Sequence, residues 1–195
     1  MRKPSDQALV QSSIRGDAGA QKLLYERFAS DMYKLCLAYA KDVDMANDML
    51  QEGFIKVFRN LSKYDGTGPV GGWIRRLIVN NCIDYYRLDK WSRNREEVFD
   101  DSEVEGAVTN EVDLLYEKES FLRITNRLPD GYRIVMNLHY LEGYTHVEIA
   151  DRLGITVGTS KSQLSKAKKF LREILLKELP EEKLSIYGES RREVV

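Results

Sequence analysis

Residues 144–171, YTHVEIADRLGITVGTSKSQLSKAKKFL, carry the reading on which the fold turns. Ile149, Ala150 and Leu153 fall on one side of a short helix expected over residues 145–153, because apolar residues three and four apart share a helical face. Gly154 offers the positive φ of a tight exit turn, with Ile155 and Val157 as apolar residues suited to plug the corner. A second helix is expected from 159 to about 179, with Leu164, Ala167 and Leu171 on its inner stripe. This is the layout of a helix-turn-helix, whose second helix enters the DNA major groove. On its outer face Lys161, Lys166, Lys168 and Lys169 suit phosphates, while Ser162, Gln163 and Ser165 offer polar tips to base edges,. Thr159 and the free N–H groups of the first turn form a phosphate anchor,. The plainer reading is a solvated face on an ordinary hairpin. Such faces usually mix charges, whereas 158–172 holds Lys161, Lys166, Lys168, Lys169 and Arg172 without an acid.

Working outward, helical periodicity persists almost throughout. Toward the N-terminus of this stretch, Ile134, Val135, Leu138 and Leu141 form an apolar face ended at Gly143, and Pro129 suits the first turn of that helix,. Leu115 and Leu122 begin the pattern that stops at Leu128. In the first half, Leu24, Phe28, Met32, Leu35 and Tyr39 share one face,. Ala46, Leu50, Phe54, Val57 and Leu61 define a second helix, with Asp44 as its expected N-cap,. Ile74, Ile78, Cys82 and Tyr85 mark a third. Residues 65–72, DGTGPVGG, form the expected break between those two,. No stretch alternates apolar and polar residues for long, so the expected class is all-α.

The net charge of −1 conceals a strong segregation. Residues 96–119 hold Glu96, Glu97, Asp100, Asp101, Glu103, Glu105, Glu111, Asp113, Glu117 and Glu119 against Lys118 alone. Residues 71–95 hold Arg75, Arg76, Arg87, Lys90, Arg93 and Arg95 against Asp84 and Asp89. Two basic segments flanking an acidic one imply two surfaces for a polyanion and a segment that avoids it. The expected organisation is two small helical domains, 1–92 and 113–179, joined by an acidic linker, 93–112, and followed by a charged tail, 180–195.

Other classes lose ground on composition. With 43% hydrophobic and 31% charged residues, the chain is neither disordered nor membrane-like,. No apolar run approaches the ~20 residues that span a bilayer, and MRKPSDQALVQSSIRGD lacks the apolar core of a secretory signal,. Cys36 and Cys82 sit in apolar helical patterns without metal-ligand spacing, which reads as buried free thiols in a reducing cytoplasm,. The histidines are His139 and His146, and the acids form no ligand cluster. No metal, cofactor or catalytic site is expected, which leaves an enzyme acting on nucleic acid without support. A classical activator or repressor with a helix-turn-helix output domain is the competing reading. It calls for a sensing domain, typically with strands, where residues 24–85 read as helix.

The C-terminal run resembles the minus-35-binding domain of sigma factors of the extracytoplasmic-function group. Leu128, Pro129, Glu142, Gly143, Glu148, Ile149, Ala150, Leu153, Gly154, Gly158, Thr159 and Ser162 fall on that pattern. Ser160 stands where the family usually has valine, and Gln163 where a basic residue is common. Residues 48–54, DMLQEGF, resemble the DxxQExF box of the family. The resemblance implies docking on the clamp of core RNA polymerase through Asp48, Gln51 and Glu52, which share an exposed face with Leu50 and Phe54 turned inward,. Residues 73–87, WIRRLIVNNCIDYYR, are similar to the helix that meets the minus-10 element; Trp73, Asn80 or Asn81, Asp84 and Arg87 fall on its pattern. Arg75, Arg76 and Arg87 are the expected phosphate contacts there, with Asn80 and Asp84 beside them, and Tyr85 or Tyr86 the residue to stack on an unpaired base,. Trp73 reads more readily as core than as a DNA contact, and Asn80 and Asn81 equally suit capping or bridging helices. For the minus-35 duplex the expected contacts are Thr159, Lys161, Ser162, Gln163, Lys166 and Lys169. The likeness covers about residues 20–90 and 110–178. It implies core RNA polymerase and promoter DNA as partners, an anti-sigma protein as regulator, an acidic linker threading toward the RNA exit channel, and a cytoplasmic location. A chain of 195 residues leaves no room for a separate middle domain, as in this minimal group.

Overall fold

The computed structural model describes residues 4–93 and 125–178, and within them finds helix and no strand. The chain divides into two compact units, Met1–Val98 and Phe99–Val195. The acidic segment from residue 94, the pattern at Leu115 and Leu122, and the tail 180–195 lie outside the described residues.

The first unit holds α1 (Asp6–Ile14), α2 (Ala18–Tyr39), α3 (Val43–Asn60), a 3-10 turn (Leu61–Lys63) and α4 (Val70–Arg93). Short polar side chains start the first three. Ser5 accepts from the Ala8 N–H, Asp17 from Ala20 and Asp42 from Met45, each satisfying one orphan donor of a first turn,. The cap of α3 is therefore Asp42 and not Asp44, which lies inside the first turn, where its charge favours the helix dipole,. Helix α1 was not anticipated. It buries Leu9 and Val10, and Asp6 pairs with Arg27 of α2.

Leu24, Met32, Leu35, Ala46, Leu50, Phe54, Val57, Ile74, Ile78 and Cys82 make the core of this unit, as their spacing indicates. Both cysteines are free and buried. The break after α3 is shorter than expected. Helix resumes at Val70, directly after Pro69, so Gly71 and Gly72 are helical. Gly71 is there because a Cβ would stand 2.9 Å from the Phe28 ring. Gly53 of α3 serves the same end against α4, where any side chain would collide with Cδ1 of Ile78.

The second unit holds α5 (Asp130–Tyr140), α6 (His146–Leu153) and α7 (Val157–Glu178). Pro129 occupies the N-cap position of α5, one residue before the expected first turn. Ile134, Val135 and Leu138 are buried as expected, but Leu141, beyond the helix end, is exposed. Thr145 and Glu148 close a capping box on α6, and Gly154 ends it with φ of 64°,. Helix α7 begins at Val157, two residues earlier than expected. Thr156 is its cap, with Oγ1 accepting from the Thr159 N–H at 3.0 Å.

Candidate functional site

Helix α3 is sharply two-sided: Leu50 and Phe54 are buried, while Asp48, Gln51 and Glu52 are all exposed on the opposite side. Ile55, 49% exposed, extends the same face one turn on. Sequence reasoning missed it, although its spacing of four from Gln51 and three from Glu52 places it there. An apolar residue beside two carboxylates and an amide makes a surface fit for a basic partner with an apolar contact at its centre.

Helix α4 runs beside α3. Trp73, Arg76, Asn80, Asp84 and Arg87 advance by three or four and share one stripe; Arg76, Asp84 and Arg87 on it are exposed, and Trp73 and Asn80 half-buried,. Arg75 is off this stripe, in line with buried Val79 and Cys82. Arg75 and Asn80 each already have an intramolecular partner. Asp84 pairs with Lys56 of α3 at 2.8 Å. Of the two asparagines, Asn81 is the helix bridge: it is fully buried and its Nδ2 donates to the Met49 carbonyl at 2.8 Å. Tyr85 is half-buried, in the field of the Glu52 and Asp48 carboxylates. Burial first, then the charges of Glu52 and Asp48, push its hydroxyl up to about 12,. At the start of α4, Trp73 packs on Tyr64 with ring centroids 5.6 Å apart. Tyr64 in turn donates to the Gly68 carbonyl at 2.7 Å, bracing the exposed glycine loop.

In the second unit the stripe Ser160, Leu164, Ala167, Leu171 and Ile174 faces inward. Lys161 and Lys169 are exposed, and Ser162 and Lys166 half-buried. Ser162 returns its hydroxyl to the Thr159 carbonyl at 3.1 Å, and Lys166 has an intramolecular partner. Lys168 sits over the Tyr140 ring at 5.4 Å. Two expected outer-face residues are turned in. Gln163 is 6% exposed, because it stands three residues after Ser160 and four before Ala167, both fully buried,. Thr159 is also buried, and both its N–H and its hydroxyl are bonded to Thr156. The first turn of α7 instead exposes Val157, at 37%, and Gly158. The Thr-x-x-Thr spacing, a cap signal, is what locates this earlier start. Val157 thus does not plug the corner.

Ser160 is the departure with the clearest structural answer. It is fully buried, and its hydroxyl is 2.9 Å from Nδ1 of His146 on α6. His139 of α5 stacks on His146 at 5.0 Å, its own Nδ1 donating to the Tyr144 carbonyl at 3.0 Å. Burial, then the charges of His139, Lys161 and Lys168, lower the pKa of His146.

One helical unit with an exposed acid-amide face on α3 and exposed arginines on α4, and a second unit built on a helix-turn-helix, set the class: an all-helical helix-turn-helix protein. The model for Sigma-70 region 2 matches residues 24–92, and that for Sigma-70 region 4 matches residues 118–171. The chain belongs to the sigma-70 family, as a sigma factor of the extracytoplasmic-function group. Among its relatives, the ECF RNA polymerase sigma factor SigM of Bacillus subtilis is 28% identical over 77% of this chain and 92% of its own. SigW of the same organism is 27% identical over 83% of this chain and 91% of its own. A solved structure of the sigma factor RpoE with the anti-sigma factor NepR from Bartonella quintana is 20% identical, covers 81% of this chain and 98% of that one, and has a TM-score of 0.47. No helix among the described residues is long and apolar enough to cross a membrane.

Proposed function

We propose that this sigma factor joins core RNA polymerase through the outer face of α3, with Asp48, Gln51 and Glu52 as polar contacts and Ile55 as an apolar anchor. The observation that carries the reading is the separation on α3 itself: Leu50 and Phe54 are buried while the three polar residues of the box are exposed together. Beside it, Arg76, Asn80 and Arg87 on α4 meet the minus-10 strand, with Arg75 at the edge of that surface. Asp84 acts there through Lys56, which it already holds. In the second unit Val157, Lys161, Ser162 and Lys169 face the minus-35 duplex, with Lys166 at the margin. Helix N-terminal residues reach base edges in such complexes, and an exposed valine suits a thymine methyl group. Gln163 and Thr159 then shape the helix from within.

In this reading the protein is a non-catalytic subunit that acts where the polymerase acts, in the cytoplasm, under restraint by an anti-sigma protein. The domain boundaries proposed are those of the sequence, 1–92 and 113–179 about an acidic connection. The test is reconstitution with bacterial core polymerase, followed by size-exclusion chromatography and run-off transcription on genomic promoter fragments. Co-elution with template-specific initiation is expected. Failure to bind core, with duplex binding retained, would leave a DNA-binding protein that never joins the enzyme.

A further inference from the structure

Asp84 is an acid in the middle of a basic stripe. Arg76, Asn80 and Arg87 share its face of α4, one or two turns away, and Asp84 itself is exposed,. A bare carboxylate at that point opposes a phosphodiester strand. Its Oδ2 instead accepts from Nζ of Lys56, on the neighbouring helix α3, at 2.8 Å. Arg87 lies three residues on, within ordinary reach of an acid on the same helix, yet the carboxylate is turned to α3 and Arg87 is left exposed,. The side chains of Lys56 and Asp84 are 40% and 53% exposed, and an ion pair so open adds little to stability,. What it changes is the charge the stripe presents. With Lys56 in place Asp84 is neutralised, and Arg76 and Arg87 set the sign of the surface.

We propose that Lys56 is a positioning residue for capture of the minus-10 strand: it masks Asp84 and draws that carboxylate away from Arg87, so that α4 meets the strand as a cationic surface. This rests on the minus-10 surface proposed above. A plain tie between α3 and α4 makes the opposite demand on the two residues. If the pair serves only to hold the helices, losing either partner harms binding, and losing both does not repair it. If Lys56 serves as a mask, the two losses act in opposite directions. Removing the lysine uncovers an acid in front of the phosphates, whereas removing the acid releases a lysine toward them.

The test uses the full chain assembled with core polymerase, as parent, Lys56→Met, Asp84→Asn and the double variant. The probe is a labelled fragment that the parent holoenzyme transcribes, prepared with its minus-10 segment unpaired so that capture is read apart from melting. Fluorescence anisotropy follows its binding across a salt series. Lys56→Met is expected to weaken binding about three- to fivefold, the scale of one charge across a wet surface. The slope of log affinity against log salt is expected to flatten by about 0.7, the single-strand increment of one charge. Asp84→Asn is expected to tighten binding by a similar factor. The double variant, whose stripe carries the parent's net charge, is expected to return to within about twofold of the parent. Losses in both single variants without recovery in the double would make the pair a helix tie and overturn the mask, as would a Lys56→Met protein with the parent's affinity and slope. Core affinity is titrated alongside, and a fall confined to Lys56→Met would move the residue to docking and sink the proposal. Arg76→Ala with Arg87→Ala separates the two levels of the argument. If that variant captures the strand as well as the parent, the minus-10 surface fails and takes the mask with it. If it binds weakly while Lys56→Met does not, the surface stands and the mask alone is lost.

Discussion

Asn81 is enclosed between α3 and α4, and its Nδ2 reaches the carbonyl of Met49 across the helix pair. That bond satisfies the amide N–H while Oδ1 is buried without a hydrogen-bond partner, so Asn81 depends on it, an unpaired buried amide or carbonyl costing about 1–3 kcal/mol,. Asn81→Ala is expected to lower stability by about 1–3 kcal/mol in urea denaturation. Asn81→Asp keeps the shape, removes the donor and buries a charge against a carbonyl, so it is expected to cost more, about 3 kcal/mol or above. An aspartate as stable as asparagine at neutral pH would contradict the bridge. Its neighbour Asn80 is half-buried and stays on the stripe with Arg76 and Arg87. The sequence left the two asparagines interchangeable because they are adjacent in a helix. Only the crossing point of α3 tells which one turns inward.

Among the elements, α6 and α7 show what periodicity reveals and what it hides. The inner residues Ile149, Ala150, Leu153, Leu164, Ala167 and Leu171 are buried as spacing indicates, and Gly154 takes the left-handed turn. The start of α7 falls two residues before the expected one because Thr156 and Thr159 are both competent caps, which puts Thr159 inside the first turn and bonded to Thr156. Gln163 turns inward because the buried face of α7 is wider than the Leu164, Ala167 and Leu171 stripe. Helix α1 escaped notice because only Leu9 and Val10 give it an apolar side. The polar contact between Ser160 and His146 was equally illegible, since the partners are fourteen residues apart and join only when the turn closes. It has a pH consequence. The pKa of His146 is lowered in the fold, so the unfolded chain binds the proton more readily. Stability from this site is therefore complete above the unfolded value, about 6.5, and is lost as pH falls through it toward the lower folded value. Thermal melting of the protein is expected to show a lower midpoint at pH 5.5 than at pH 7.5, with a smaller drop in His146→Gln (about these two pH values the ordinary histidine titrates). Identical pH profiles for the two proteins would remove His146 as the cause.

At the scale of the molecule, the net charge of −1 says little about what the chain binds, because its charges are sorted by face as well as by segment. The basic side of α7 is open at Lys161 and Lys169, whereas Lys166 and Lys168 make contacts within the protein. Phosphate neutralisation releases counterions, and each contact contributes about 0.9 to the slope of log affinity against log salt. Lys161→Ala with Lys169→Ala is expected to flatten that slope by about 2 on a random-sequence duplex, and Lys168→Ala by much less. Fluorescence anisotropy across a salt series reads both; equal changes for the exposed and ring-bound lysines would show that burial does not sort them. The class of the fold and the three motif-bearing helices were open to sequence reading because helix period and caps are local. Which lysine is free, and which acid is already paired, depends on contacts between helices and was not.

The close approach at Gly53 has a bearing on the descent of this chain. A side chain there meets the terminal methyl of Ile78, twenty-five positions away along the sequence. Substitutions at the two sites are therefore not independent events. Alanine at 53 forces the terminal methyl of Ile78 to turn aside, and needs no such shift once residue 78 has become valine and the methyl is gone, although that valine alone leaves a small void,. The order of acquisition matters: lineages that reach a larger residue at 53 are expected to have passed first through a smaller one at 78.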